Sequence, residues 1–159
     1  MTDGAVAIRR YRLEDAAATL AVFRSAVHEG AARDYTQAQR AAWAPAIMDE
    51  TAWASRRAAK PGWVAEIDGA VVGFTDLEPD GHIDMLFVAA RFHRRGVAAA
   101  LYRAVEHAAR DAGLARLTVE ASLTARPFFE RQGFSVTTMQ NKRLRGQVLT
   151  NCRMERLFA

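Results

Sequence analysis

The 159 residues of this chain are 50% hydrophobic and 25% charged, which fits one globular domain over residues 1–159 and gives no sign of disorder. The formal net charge of +4 comes from arginines scattered along the whole chain, so we expect no nucleic-acid partner. A single cysteine, Cys152, excludes an internal disulfide, the sequence has no metal-site spacing and no membrane-spanning apolar run, and its N-terminus lacks the apolar h-region typical of a signal peptide. The expected location is the cytoplasm, and we expect Cys152 to pack in a strand.

The first half of the chain predicts a strand followed by helical segments. Val6, Ile8 and Arg10 alternate on one side of an extended segment, which predicts an edge strand. Thr36 followed by Gln39 is the pattern of a capping box and predicts the start of a short helix. The predicted elements are a strand over residues 5–11 and helical segments over about 14–29, 36–44 and 49–59.

The second half predicts a strand meander, a strand-helix-strand unit and a final strand pair. Asp68-Gly69, Pro79-Asp80-Gly81 and Arg145-Gly146 indicate three turns between neighbouring strands, the first two of them within an antiparallel meander. A helix joins the fourth and fifth strands, which makes these two strands parallel. The predicted elements are strands over 63–67, 71–75 and 82–88, a helix over 96–113, a strand over 114–120, a short helix over 125–132, and strands over 134–140 and 147–158. The order is β-α-α-β-β-β-α-β-α-β-β, an α/β fold with a mixed sheet.

A basic turn, Arg91 to Arg95, joins the fourth predicted strand to a helix that opens at Gly96. The N–H groups at the start of a helix have no partner within it and carry the positive end of its dipole, so such a turn binds phosphate. Gly96 and Ala98 are small enough for a diphosphate to approach the backbone, and Arg94 and Arg95 add charge beside it. The pattern is neither a Walker P-loop nor a dinucleotide-binding GxGxxG.

Residues 93–98 (HRRGVA) resemble motif A of the GNAT (GCN5-related) N-acetyltransferases, Arg/Gln-x-x-Gly-x-Gly/Ala, with His93 at the position of Arg or Gln. Residues 122–134 (SLTARPFFERQGF) resemble motif B, Asn-x-x-Ala-x-x-x-Tyr-x-x-x-Gly-Phe, with Ser122 for Asn and Phe129 for Tyr. The order of elements also resembles the GNAT fold over nearly the whole chain.

The resemblance implies an acetyl-CoA-dependent N-acetyltransferase that moves an acetyl group directly to a primary amine of a small molecule or peptide, without a metal. It implies that strands four and five splay apart, so that the pantetheine arm pairs with a free strand edge and the diphosphate lies over the turn. A backbone amide near Phe87 would face the thioester oxygen. The residues expected to contact the coenzyme are Leu86, Phe87, Val88, His93, Arg94, Arg95, Gly96, Val97, Ala98, Ser122 and Phe129.

Two residues of the fourth strand are candidates for the general base. His82 stands where the histone-acetylating members of the family carry a glutamate base, and an imidazole can accept a proton at neutral pH. Asp84 lies two residues on, on the same strand face, and could act as the base or as an anchor for a cationic substrate. Phe129 lacks the hydroxyl with which family members protonate the thiolate, so Ser122, Tyr35 or water would replace it.

The acceptor side includes residues 32–45, which resemble the substrate-side segment of a small bacterial group in the family. We expect His28, Tyr35 and Trp43 to contact the acceptor, with Glu120 as a further candidate. Two other functions stay open, a non-catalytic acyl-CoA-binding or sensing module and an acetyltransferase acting on a tRNA-linked amine. The resemblance also allows a homodimer.

Overall fold

The computed structural model describes residues 4–158, which fold into eight strands, five α-helices and three short helical turns. The strands are β1 (Ala7–Arg10), β2 (Gly62–Ile67), β3 (Ala70–Asp76), β4 (His82–Ile83), β5 (Leu86–Val88), β6 (Arg116–Ser122), β7 (Ser135–Leu144) and β8 (Gln147–Leu157). The helices are α1 (Ala16–Ser25), α2 (Gln37–Trp43), α3 (Glu50–Ala58), α4 (Val97–Asp111) and α5 (Arg126–Arg131). The turns are Leu13–Asp15, Ala26–Gly30 and Ala90–Phe92. No helix in this range is long and apolar enough to cross a membrane.

The strands form two four-stranded sheets, ordered β1-β2-β3-β5 and β4-β6-β8-β7. Neighbours in the first sheet are antiparallel, and β4 is parallel to β6, as the crossover through α4 predicts. Two of the predicted turns have two consecutive left-handed residues, Asp68-Gly69 and Arg145-Gly146, and the turn at Pro79-Asp80-Gly81 has one, Gly81 with φ 92°. The predicted mixed α/β fold is therefore confirmed. All three helical segments expected before β2 are present, whereas the predicted order β-α-α-β has only two helices at this place.

The prediction of one strand over residues 82–88 is wrong, because the chain changes sheets within it. β4 pairs with β6, whereas β5 pairs with β3 in the other sheet, and Asp84 and Met85 make the crossing. β4 pairs with β6 only through Thr118 and Val119 of β6. Among the described residues, no strand therefore pairs with Glu120–Ser122 of β6 on the side that faces β5. We call the space between β5 and this part of β6 the inter-sheet gap.

Helices cover both faces of the first sheet. Val97 and Leu101 of α4 lie in a core that also takes residues from both sheets. On the opposite face, Phe23 of α1 and Trp53 of α3 pack in a second core with residues of β2 and β3. Cys152 is 0% exposed and lies in the first core, which confirms the packing role expected for it.

The first helical segment reaches the basic turn. α1 continues into a widened, π-helical turn that ends at Gly30, as predicted. A Cβ on Gly30 would lie 2.8 Å from Cε1 of His93, closer than two such atoms can approach. The glycine therefore allows this turn to pack directly against the ring of His93.

Candidate active site

The strand edge along the inter-sheet gap belongs to β5. The N–H of Ala89 donates to the C=O of Val72 at 2.9 Å, so the alternation of the antiparallel ladder directs the N–H and C=O of Phe87 toward β3 as well. The same alternation directs the N–H and C=O groups of Leu86 and Val88 into the gap. We expected the oxyanion donor near Phe87, but its own amide faces β3, and the gap-facing amides belong to its two neighbours.

Two left-handed residues shape the basic turn, Arg94 with φ 63° and Gly96 with φ 79°. α4 begins directly after Gly96, and no side chain between residues 4 and 158 caps its first turn, so its first N–H groups are open to an anion. A Cβ on Gly96 would meet no atom within 4 Å, so the space above this residue is open. The guanidinium groups of Arg91 and Arg95 lie over the ring of Phe92, at 5.0 and 5.4 Å from its centroid. The turn thus has the charge and the open donors that a phosphate group requires.

The remaining residues of motif A lie where the turn meets β5 and α4. The Nε2 atom of His93 lies 2.9 Å from the carbonyl oxygen of Val88, one of the gap-facing groups. Because a carbonyl oxygen has two lone pairs, this bond leaves one of them for a ligand. Val97 and Ala98 are the first two residues of α4, so they can serve an anion site through their backbone N–H groups.

One face of the second sheet is polar where it borders the gap. Along β6, Thr118, Glu120 and Ser122 are half-buried on this face, while the residues between them are buried on the other. His82 of β4 reaches the same face, because its Nδ1 lies 2.9 Å from Oγ1 of Thr118. A cavity of about 210 Å³ lies beside His82, Thr118 and Arg153. The polar face consists of His82, Thr118, Glu120, Ser122, Gln140, Lys142, Asn151, Arg153 and Glu155.

Glu120 is the acidic centre of the polar face. Its carboxylate accepts a hydrogen bond from the ammonium group of Lys142. Burial of the carboxyl acts to raise its pKa, but Lys142, then Gln140 and His82, outweigh it and hold the pKa of Glu120 below its ordinary value. On the same face, Oδ1 of Asn151 is buried and has no hydrogen-bond partner within residues 4–158. A carboxylate that already holds an ammonium group is suited to bind a cationic amine.

Asp84 does not fit the role of general base. Its carboxylate accepts from Arg57 at 2.8 Å and from Lys60 at 3.2 Å. Although burial acts to raise the pKa of Asp84, these two cations hold it below its ordinary value. The carboxylate is therefore a weak proton acceptor, and it anchors two cations of this chain instead of a cationic substrate.

Tyr35 does not fit the role of acid or of substrate contact. The residue is 5% exposed, and its hydroxyl donates to the C=O of Thr150 at 2.6 Å while it accepts from the N–H of Leu123 at 2.9 Å. Burial raises the pKa of Tyr35. The hydroxyl joins the loop after β6 to β8, and its proton is already engaged.

The two residues at the variant positions of motif B are also structural. Oγ of Ser122 accepts from the N–H of Ala125 at 3.0 Å, at the start of α5. Phe129 is 2% exposed and packs edge-on against Phe128 and Phe134 in the core. Its ring therefore presents almost no surface to a coenzyme in this structure.

His28 and Trp43 contact different parts of the chain. Nε2 of His28 lies 2.7 Å from the carbonyl oxygen of Ala44, so this side chain ties the π-helical turn to the end of α2. Trp43 is half-buried, and its ring centroid lies 6.0 Å from that of Phe87 in β5. Of the residues expected to contact the acceptor, Trp43 is thus the one that packs beside the strand along the gap.

The family model of the acetyltransferase (GNAT) domain matches residues 31–156. The chain belongs to the GNAT family of acetyltransferases. It is 39% identical over 146 residues to the uncharacterized N-acetyltransferase YafP of Escherichia coli (strain K12), over 92% of each chain. The crystal structure of a GCN5-related N-acetyltransferase from Rhodopseudomonas palustris is 36% identical, with a TM-score of 0.92 over 99% of each chain. The predicted enzyme class, an N-acetyltransferase, is confirmed.

The protein yncA of Salmonella typhimurium, solved with its cofactor acetyl-CoA, is a more distant structure with the same fold. It is 17% identical, with a TM-score of 0.71 over 96% of this chain and 94% of that one. At this identity the likeness concerns the fold alone, so what the site of this chain binds is argued from its own residues.

Tyr35→Phe should lower the free energy of unfolding by about 1–3 kcal/mol, because it leaves the partly buried N–H of Leu123 and C=O of Thr150 without the hydroxyl that bonds both. Urea unfolding followed by circular dichroism measures the change. Tyr11→Phe is the matched control, since the Tyr11 hydroxyl is buried without a partner in residues 4–158, and it should cost little. Equal losses in the two variants would contradict the joining role of Tyr35.

Gly96→Ala should weaken the binding of coenzyme A about tenfold or more, because the added Cβ enters the open space above the start of α4. Gly113→Ala is the matched control at the other end of α4, with φ 72° and no atom within 4 Å of an added Cβ. Both variants should lose about 1–2 kcal/mol of stability to left-handed strain. Calorimetric titration with coenzyme A separates them, and an equal loss of affinity in both would contradict the anion site at Gly96.

Proposed function

We propose that this chain transfers the acetyl group of acetyl-CoA directly to a primary amine held on the polar face. One observation carries the proposal: the gap-facing backbone of β5 connects the open helix start at Gly96 with the polar face at His82. Membership of the GNAT family supports the acetyl donor. The acceptor is inferred from Glu120 and its neighbours.

The coenzyme would lie along β5 with its diphosphate at the Val88 end and its thioester at the Leu86 end. Its diphosphate would accept from the N–H groups between Arg94 and Ala98. The pantetheine arm would then run back along β5 as an added strand and bond first to Val88 and next to Leu86. This order brings the thioester to Leu86, close to the crossing between the sheets. The N–H of Leu86 would donate to the thioester oxygen and stabilise the negative charge that develops there.

The amine would arrive as an ammonium ion and bind Glu120 in place of Lys142. His82 would take a proton from it, directly or through water, if Nδ1–H donates to Thr118 and Nε2 keeps its lone pair. The neutral amine would then attack the thioester carbon. The C–N bond forms, the attacking nitrogen loses its second proton to water, the C–S bond breaks, and coenzyme A leaves as the thiolate, so no covalent enzyme intermediate is needed.

The leaving thiolate would take its proton from solvent. Phe129 has no hydroxyl, and the Tyr35 hydroxyl already donates to Thr150. Ser122 keeps its own O–H proton, because the bond from the Ala125 N–H uses only an oxygen lone pair, so among these three residues it is the alternative donor to solvent. A thiolate with an ordinary pKa of about 8.5 is a tolerable leaving group without full protonation. The replacement of the motif B tyrosine by phenylalanine is therefore compatible with catalysis.

Arg94→Ala combined with Arg95→Ala should weaken the binding of acetyl-CoA about tenfold or more, because two charges beside the diphosphate are lost. Calorimetric titration with acetyl-CoA and with free coenzyme A measures this effect. Arg56→Ala combined with Arg143→Ala removes the same charge from exposed side chains of α3 and β7, and should bind as the wild type does. A wild-type protein that bound neither coenzyme would overturn the proposed function.

His82→Gln and Glu120→Gln should affect different kinetic constants. Loss of the base should lower kcat about 100-fold or more, whereas loss of the carboxylate should raise the KM for the amine about tenfold. Release of free thiol from acetyl-CoA over a panel of primary amines first identifies an acceptor and then measures both constants.

Lys142→Met is the control for the acceptor site. It removes the ammonium group that occupies Glu120, so the KM for the amine should fall or stay unchanged. A His82→Gln enzyme with wild-type kcat would exclude His82 as the base, and a Glu120→Gln enzyme with wild-type KM would exclude the acceptor site.

A further inference from the structure

The crossing of the chain between the sheets is held by two buried polar side chains at the end of β3. The hydroxyl of Thr75 donates to the C=O of Met85 at 2.9 Å. The carboxylate of Asp76 accepts from the N–H of Asp84 at 2.8 Å and from the N–H of Met85 at 3.2 Å. Thr75 and Asp76 are each 2% exposed. They bond the backbone groups that a continuous strand would pair in a ladder.

Arg57 of α3 holds Asp76 from the other side. Its Nη1 lies 2.8 Å from Oδ2 of Asp76, and its Nη2 lies 2.8 Å from Oδ2 of Asp84. Arg57 as a whole is 5% exposed, and the central carbon of its guanidinium group lies 5.3 Å from the ring centroid of Trp53. Burial raises the pKa of Asp76 to about 6, against the effects of its bond to the Asp84 N–H and of Arg57. At pH 8 the Asp76 carboxylate is therefore ionised and can accept from all three donors.

We propose that Asp76 and Arg57 are positioning residues for acetyl transfer, because their ion pair fixes the crossing and thereby the direction of the Leu86 N–H. The inference rests on the proposed function, in which that N–H donates to the thioester oxygen. Leu86 directly follows Met85, so the two backbone bonds of Asp76 lie one and two residues before the donor. A misplacement of about 1 Å at reacting groups can cost about 100-fold in rate. A loosened crossing should therefore lower turnover before it abolishes folding.

Asp76→Asn tests this at nearly constant side-chain size. A carboxamide has one acceptor oxygen and one donor NH2, so it cannot accept from both N–H groups and Arg57 at once. At pH 8, kcat should fall about 10- to 100-fold. The affinity for free coenzyme A should stay close to that of the wild type, because the diphosphate would bind at Gly96, beyond the far end of β5.

Asp15→Asn is the matched control. Asp15 is 5% exposed and also forms an ion pair with an arginine, accepting from Arg9 at 2.8 Å through each carboxylate oxygen and from the N–H of Arg12 at 2.8 Å. It lies before α1, outside the inter-sheet gap. Urea unfolding should show a loss of stability in both variants, whereas kcat should fall only in Asp76→Asn.

Equal kcat losses in Asp76→Asn and Asp15→Asn, or wild-type kcat in a folded Asp76→Asn enzyme, would overturn the positioning role. If Asp76→Asn does not fold, Arg57→Lys provides the test, because it keeps the charge but loses the planar fork that reaches Asp76 and Asp84 together. Its kcat should be reduced, and wild-type kcat would again overturn the proposal. Failure of the proposed function is distinct, since the wild type would then bind no acetyl-CoA and release no thiol with any amine.

Discussion

The candidate site depends on the chain leaving one sheet for the other between Ile83 and Leu86. Peptide groups in a protein interior need hydrogen-bond partners, because one buried without a partner costs about 1–3 kcal/mol. Thr75 and Asp76 provide these partners with their side chains, so a strand can break inside the core. The outer edge of β5 then faces a gap instead of β6. A continuous strand over residues 82–88 would pair with β6 and close that gap.

The two ends of the site are built from different parts of the chain. At the coenzyme end, the groups that face the gap and the open helix start are backbone N–H and C=O groups, and they depend little on side chains. His93 can therefore replace Arg or Gln of motif A without removing them. At the proposed acceptor end, the groups are the side chains of Glu120, Lys142 and His82. Substitutions there should change which amine is accepted while the coenzyme site is kept.

Features that depend on neighbouring residues could be predicted from the sequence. The Asp68-Gly69 turn, the capping box of Thr36 and Gln39, and the helix opening after Gly96 all follow from local backbone chemistry. The break after Ile83 could not, because the residues that stabilise it are distant in sequence. The Arg57–Asp76 bond spans 19 positions, and in the sequence Asp76 looks like an ordinary residue at the end of a strand.

The roles of several side chains of the site could not be predicted from residue type alone, for a related reason. Hydroxyl and carboxylate groups that can perform acid-base chemistry are also the groups that satisfy buried backbone atoms, and only long-range contacts distinguish the two uses. Tyr35 and Asp84 both have structural contacts: the Tyr35 hydroxyl bonds two backbone groups, and the Asp84 carboxylate binds two cations of this chain. Glu120 differs because the side chain of its partner, Lys142, is 48% exposed, and in the proposed function a substrate ammonium takes its place. An exchangeable partner at the edge of the gap is therefore a better sign of a reactive role than the residue type itself.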